Sequence, residues 1–263
     1  MSSRWLHRAQ KAVALVRGGF RGLPVTTVPG QEILLPMSAR NHYWTGPSED
    51  ARLLAFLAAA VPDGGTYLDI GGNVGVYVAA ISRAKAGKLR AVTFEPIPTS
   101  VAILKETLAL NAVPDARVEQ VALSSGPGVL RLSNFGGGLN NFWVTDAHKD
   151  VPQIEVQKLT LDAWLAQNPS FAPSAMKIDV EGHELELLRG AQETIRRCKP
   201  AIVIECHCAS WADLSVSREE FVDLVASFGY RSATGPDGRP LDLMTQPSTI
   251  HLLLSDGPRA AAA

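Results

Sequence analysis

The feature that most constrains this chain is the run Thr66-Tyr-Leu-Asp-Ile-Gly-Gly-Asn-Val-Gly-Val-Tyr-Val78. An apolar stretch ends in an acid, breaks into a glycine-rich turn and resumes as an apolar-faced segment. Tyr67, Leu68 and Ile70 suit a buried strand of a parallel sheet, and residues 74–83 continue with helical spacing, so the unit reads strand, tight turn, helix. Gly71, Gly72 and Gly75 let the backbone turn and approach a ligand without Cβ atoms in the way, and Asn73 is the non-glycine type that best tolerates a left-handed conformation. A flat, polar ligand fits such a turn.

Spacing narrows the ligand. Counted from Gly71, a dinucleotide fingerprint of the form G-x-G-x-x-G meets Asn73 and Val76 where glycines belong, which disfavours a nicotinamide-dependent oxidoreductase. What stands instead is D-x-G-x-x-x-G. Its acid, Asp69, precedes the first glycine, where a cofactor with a charged amino-acid moiety and no pyrophosphate would use it. A second apolar run, 89–94, ends in Glu95, and an acid at that point can chelate a ribose diol. An adenosyl amino acid fits these positions better than a dinucleotide.

Further blocks follow in order: F-E-P (94–96), Asn111 closing the next helix, T-L-D (160–162), K-I-D-V-E-G-H-E (177–184), L-L-R-G-A (187–191) and I-V-I-E (202–205). With D-I-G-G-N-V-G (69–75) they make the chain resemble the FkbM family of S-adenosylmethionine-dependent methyltransferases over roughly residues 66–206; Gly72 stands where that family usually has alanine. The resemblance implies an α/β, Rossmann-like class I methyltransferase fold, with a mostly parallel seven-stranded sheet, an antiparallel C-terminal strand and helices on both faces. It implies S-adenosyl-L-methionine as cofactor, with Asp69, Gly71, Gly72, Asn73, Val74, Glu95, Pro96, Ala122 and Asp179 as its binding residues. In that scheme Glu95 takes the ribose hydroxyls, Asp69 reaches the methionine end through water or backbone, and the amides of residues 71–74 take its carboxylate. Hydroxyls of sugars or natural-product intermediates are the acceptors the family implies. An oxidoreductase on a related fold and a cofactor-binding partner subunit without catalysis remain the alternatives.

The 263 residues, 46% of them hydrophobic, suffice for one large α/β domain, expected over 48–256 after an N-terminal helix and lid-like extension (1–47) and before a disordered tail (257–263). A formal net charge of −1 without a long Lys/Arg run argues against a nucleic-acid partner. Residues 1–22 combine Arg4, Arg8, Lys11, Arg17 and Arg21 with apolar residues at helical spacing. They read as a basic amphipathic helix for docking on the domain or on a second copy, as in a homo-oligomer. No segment is long enough to span a membrane, and the first residues lack a secretory signal. Cys198, Cys206 and Cys208 are an odd number in a chain too large to need disulfides, which fits a reducing, cytoplasmic compartment. Cys206-His207-Cys208 lacks a fourth zinc ligand and reads as buried strand cysteines.

The remaining chain reads as a helix capped by Ser48, a helix over 98–111, strands over 117–123 and 154–159, a short helix after Thr160, a strand over 175–179, a helix over 184–196 and a strand over 201–206. A helix capped by Ser217 and an antiparallel pair, 230–233 with 250–254, complete it. The aromatic and polar cluster at 40–46 and the glycine-rich stretch 124–150, with Phe142 and Trp143, are candidate covers for a ligand, the latter alternatively an extra hairpin.

Asp69, Glu95, Asp179 and Glu205 all end apolar strands, the edge where ligands lie in an open parallel sheet. Methyl transfer is an in-line displacement that depends chiefly on alignment, but a hydroxyl acceptor must also lose its proton. His207, Asp179 and His183 are the candidate catalytic residues, with Glu181 beside them; imidazole has the better matched pKa. A Mg²⁺ on Asp179 with Glu205 or Glu181 is the less favoured alternative, since no fixed metal-ligand spacing is present.

Overall fold

In the computed structural model the described residues are 22–28, 31–41, 49–133, 150–246 and 248–256. They form β1 (Leu23–Val28), β2 (Gln31–Leu35), α1 (Glu49–Ala60), β3 (Thr66–Ile70), α2 (Val76–Ala84), β4 (Arg90–Phe94), α3 (Pro98–Leu110), β5 (Arg117–Glu119), β6 (Ala122–Leu123), β7 (Gly128–Ser133) and β8 (Gln153–Leu159). The second half adds α4 (Leu161–Gln167), β9 (Ala175–Ile178), α5 (Glu184–Arg189), α6 (Gln192–Cys198), β10 (Ala201–Cys206), α7 (Arg218–Ser227), β11 (Ser232–Thr234) and β12 (Ile250–Ser255).

The main sheet has seven strands in the order β11-β12-β10-β9-β3-β4-β5, and β12 runs antiparallel to both of its neighbours. This is the mostly parallel, Rossmann-like class I sheet that the resemblance implies. Because β4 and β5 extend to one side of β3 while β9 and β10 lie on the other, strand order reverses between β3 and β9, and a crevice opens beyond their carboxyl ends.

Side-chain alternation along the strands divides the interior into two cores. Leu68, Ile70, Val92, Phe94, Met176, Ile178, Ile202 and Ile204 pack against α4 to α7 on one face. Tyr67, Ala91, Ala175 and Val203 pack on the other against α1, α2, α3 and the β1–β2 hairpin, which contributes Leu23, Ile33 and Leu35. Asn111, at the end of α3, clips that hairpin in place: its Oδ1 accepts from Leu34 N at 2.8 Å and its Nδ2 donates to Leu34 O at 2.7 Å.

The strand expected over 117–123 is broken. β5 stays in the main sheet, whereas β6 enters a second, three-stranded sheet of order β6-β8-β7, which also takes the strand expected over 154–159. The bend lets Ala122 join Ile97, Leu132 and Val156 in a third apolar cluster while Val121 and Leu123 remain in the main core. Within the stretch 124–150, β7 pairs antiparallel with β8, as in the hairpin alternative, and its Leu130 and Leu132 line the cleft described below. The helix expected over 184–196 is two helices, α5 and α6. A Cβ on Gly190, between them, would lie 2.0 Å from Ser124 O. Asp162 then supplies a fresh cap, accepting from Thr194 N at 2.8 Å and Glu193 N at 3.1 Å, so T-L-D and R-G-A are parts of one scaffold joint.

Residues 1–21 of the basic helix expected over 1–22, residues 42–46 of the cluster at 40–46, the Ser48 cap, the run Gly136 to Trp143 and the tail 257–263 lie outside the described residues. Ser217 caps α7 as expected, accepting from Glu220 N at 3.1 Å. Among the described residues no helix is long and apolar enough to cross a membrane.

Candidate functional site

The turns after β3 and β9 meet at the reversal point. Asn73 (φ 46°), Gly71 (φ 80°) and Gly75 (φ 84°) all adopt the left-handed conformation that the sequence required of this turn. The demand for glycine, however, comes from the protein itself: a Cβ on Gly71 would lie 1.7 Å from Asp179 O, and one on Gly72 would lie 2.0 Å from Thr93 Oγ1. Gly72→Ala is therefore expected to destabilise by about 1–3 kcal/mol through overpacking, and Thr93→Ala in the same chain to restore most of it. Thermal denaturation of the two single variants and the double variant measures this; additive losses would show that Gly72 and Thr93 do not compete for one space.

Glu95, 6% exposed at the end of β4, holds the turn from outside. Its Oε2 accepts from Asn73 N at 2.8 Å and its Oε1 from Ile97 N at 2.9 Å. Burial pushes its pKa up to about 7, against the lowering pull of those two amides. Gly71 N and Gly72 N both donate to Phe94 O, at 2.9 and 3.0 Å. The expectation that amides 71–74 would hold a ligand carboxylate is thus corrected: three of the four are committed inside the protein.

Above this turn lies a cleft of about 760 Å³, its solvent-filled mouth included. Ile70, Phe94, Ile97, Leu123, Leu130 and Leu132 give it apolar walls, and Asn73, Glu95, Ser100, Asp179, Glu181 and His183 are its polar side chains. Of the residues singled out in the sequence, Gly71, Asn73, Glu95, Pro96, Ala122, Asp179 and His183 line it; Asp69, Gly72, Val74 and His207 do not. Asp69 is fully buried behind the turn, where its Oδ2 accepts from Val78 N at 3.2 Å. It thereby caps α2, whose N-cap residue Gly75 has no side chain to offer. Burial raises the Asp69 pKa to about 6, with Lys177 opposing the rise.

The second half of the site grows from β9 and β10. Lys177, 7% exposed, reaches Gly71 O at 3.1 Å and Asp179 Oδ2 at 2.8 Å, so one ammonium ties the two turns together. Burial alone would depress its pKa, but Asp179 and Asp69 hold it above the ordinary lysine range. Glu184, fully buried, accepts from Gly182 N at 2.9 Å and Trp211 Nε1 at 2.9 Å, and pairs with His207 Nδ1 at 2.8 Å. The other ring nitrogen, Nε2, faces Glu181 at 3.3 Å, Glu205 at 3.9 Å and Asp179 at 4.0 Å. Burial would lower the His207 pKa, but Glu184, Glu181 and Asp179 outweigh it and raise it to about 9. At neutral pH the ring is an imidazolium that already carries its proton, which corrects the expectation of a His207 base.

His183 is the reverse case: burial lowers its pKa to about 3, so the ring is neutral, with Nε2 hydrogen-bonded to Ser124 Oγ at 2.9 Å. Glu181 rises to about 7 through burial and the charge of Asp179, opposed by His207. Burial and Glu205 raise Asp179 while Lys177 opposes them. Glu205 falls to about 2, the effect of burial being outweighed by the adjoining His251 ring, 3.6 Å away, and by the charges of Lys177 and His207. Asp179, Glu205 and His207 each bring one atom within 4.8 Å of the others, a spacing that a cation could bridge. The imidazolium already offsets those carboxylates, so we read the group as an ion-paired network and not as metal ligands. Cys206 and Cys208 are buried, and burial raises both thiols.

Lys177 and Glu184 were not assigned from sequence, although both stand in K-I-D-V-E-G-H-E. A lysine inside an apolar strand is the signal that could have found the first, since buried lysines are rare unless paired; Glu184 reads from sequence as an ordinary acid in a first helical turn.

The model of the FkbM methyltransferase domain matches residues 69–232. Methyltransferase 1 of Beauveria bassiana (strain ARSEF 2860) is 25% identical over 205 residues, covering 70% of this chain and 80% of its own. Methyltransferase sdnD of Sordaria araneosa is 26% identical over 178 residues, covering 56% and 68%. Among solved structures, methyltransferase FkbM from Methylobacillus flagellatus KT aligns with a TM-score of 0.49 and 19% identity over 73% of this chain and 44% of that one, so this chain spans less than half of that protein.

Proposed function

The chain belongs to the FkbM methyltransferase family, and from that premise we propose that it transfers the methyl group of S-adenosyl-L-methionine to a hydroxyl of a small molecule, a sugar or natural-product intermediate. The observation that carries the cofactor reading is Glu95. Each of its oxygens accepts one backbone amide, which leaves each a further lone pair for the two hydroxyls of a ribose at the cleft wall. Asn73 Oδ1, buried with no hydrogen-bond partner among the described residues, also suits a donor from a ligand. A dinucleotide is supported less, because the turn's amides are engaged and do not form an open nest for a pyrophosphate.

Glu95, Asn73, Pro96, Ala122 and Asp179 would hold the cofactor, which supplies an electrophilic methyl group on a sulfonium. Asp179 and Glu181 line the same cleft and favour positive charge near them, more strongly where the apolar walls exclude water. A balanced overall charge supports a small acceptor over a nucleic acid.

Isothermal calorimetry tests this reading. The protein is expected to bind S-adenosylmethionine and S-adenosylhomocysteine but not NAD; binding of NAD with none of S-adenosylhomocysteine would overturn it. Glu95→Ala is expected to weaken S-adenosylhomocysteine by roughly 10- to 150-fold, the loss of charge-assisted hydrogen bonds worth about 1.5–3 kcal/mol. Circular dichroism confirms that the variant is folded, and Glu95→Gln, which keeps an acceptor for one amide, separates the ribose contact from damage to the turn.

A further inference from the structure

We propose that Glu181 is the catalytic base of this site, taking the acceptor's hydroxyl proton while His207 holds its carboxylate in place; this rests on the methyltransferase reading above. The first observation is the backbone. Glu181 has φ 53° and is followed by Gly182 at φ 101°, a pair of left-handed conformations that a glutamate ordinarily avoids and that cluster at functional sites. Glu184 fixes the turn by accepting from Gly182 N. The result is a carboxylate on the cleft lining with its side chain 35% exposed.

The neighbouring candidates are committed elsewhere. Asp179 Oδ2 is held by Lys177 at 2.8 Å, Glu205 is not among the residues that line the cleft, and Glu184 is fully buried. His207 presents both ring nitrogens to carboxylates, so it donates on both sides and has no lone pair for an incoming proton. His183 shares its Nε2 with Ser124.

The groups that face Glu181 are Asp179 on its own turn, Lys177 from β9, and His207 and Glu205 from the end of β10. Burial and Asp179 bring its pKa to about 7, which matches a base working near neutral pH. In the reaction the acceptor O–H bond breaks and its proton goes to a Glu181 oxygen. The freed oxygen pair forms the C–O bond to the methyl carbon, and the C–S bond opens with its pair returning to sulfur. The products are a methyl ether, S-adenosylhomocysteine and a protonated Glu181, which passes its proton to solvent at the open side of the cleft.

Carbon-13 NMR of glutamate-labelled protein saturated with S-adenosylhomocysteine tests the ionisation without an acceptor. One carboxyl resonance, absent in Glu181→Gln, is expected to titrate near pH 7 and to move upward in His207→Gln; titration in the ordinary range near 4.5 would overturn the proposal. Methyl transfer is then followed with labelled S-adenosylmethionine and the acceptor it labels in a panel of sugars, polyols and polyketides. Glu181→Gln is expected to lower kcat by about 10²-fold or more and to abolish the acidic limb of the pH profile, with the S-adenosylhomocysteine Kd unchanged and partial recovery in Glu181→Asp. A kcat retained within about threefold, or activity lost to EDTA and restored by Mg²⁺, overturns it. Failure of the wild type to bind S-adenosylhomocysteine would instead sink the cofactor reading.

Discussion

Replacing Glu184 with alanine is expected to lower stability by about 3–5 kcal/mol, because the change leaves a buried cation without its partner. Glu184 is fully buried and satisfies the Gly182 amide, the Trp211 indole N–H and the His207 ring at once. The loss should depend on pH, with a sign that follows from His207. Its folded pKa of about 9 lies above the ordinary 6.5, so its contribution is fully present below pH 6.5 and is lost as the pH rises through 9. A displacement of that size corresponds to about 3 kcal/mol. Urea denaturation at pH 6, 7.5 and 9 is therefore expected to show the gap between wild type and Glu184→Ala at its widest at pH 6 and narrowing toward pH 9. A gap that stays constant would mean that the His207 ring is neutral throughout.

Lys177→Met is expected to cost about as much, roughly 3–5 kcal/mol at pH 8, and to respond to pH in its own way. The ammonium offsets Asp69 and Asp179 and ties Gly71 O to the Asp179 turn, so its removal strands a fully buried carboxylate and releases the two turns from each other. Asp69 already titrates at about 6 in the folded protein, above an ordinary aspartate, and without the lysine it rises further. A raised acid contributes stability below its unfolded pKa and loses it as pH rises through the folded value, so the variant should recover on acidification from pH 8 to pH 5. Thermal melts across that range measure the recovery, and calorimetry with S-adenosylhomocysteine measures the effect on the cleft. A deficit independent of pH would mean that packing of the lysine stem, and not its charge, carries the effect.

Both variants act on residues that sequence reasoning passed over, and the reason is physical. The glycine-rich turn could be read because backbone sterics are local: Asn73, Gly71 and Gly75 have the positive φ that their types and spacing require. The parallel sheet could be read because apolar alternation is local, and Leu68, Ile70, Val92 and Phe94 fall on one face with Tyr67 and Ala91 on the other. Glu95 could be read because an acid ending the second strand of such a unit points to the crevice whatever the rest of the chain does.

Which polar groups stay available at that crevice is a different kind of question. Asp69 is the penultimate residue of β3 and Glu95 the first after β4, and the one caps α2 through Oδ2 while the other lines the cleft. His183 and His207 are the same side chain 24 positions apart, yet burial leaves the first neutral while Glu184, 23 positions from His207, keeps the second protonated. The strand expected over 117–123 bends into a second sheet because Ala122 finds apolar partners in Ile97, Leu132 and Val156. The sequence by itself determined the turn, the sheet and the acid-rich edge, since these follow from sterics and periodicity over a few residues. Only the tertiary structure decided which acids and imidazoles face the cleft and in which protonation state, because burial and neighbouring charge are set by residues that the fold brings from distant strands.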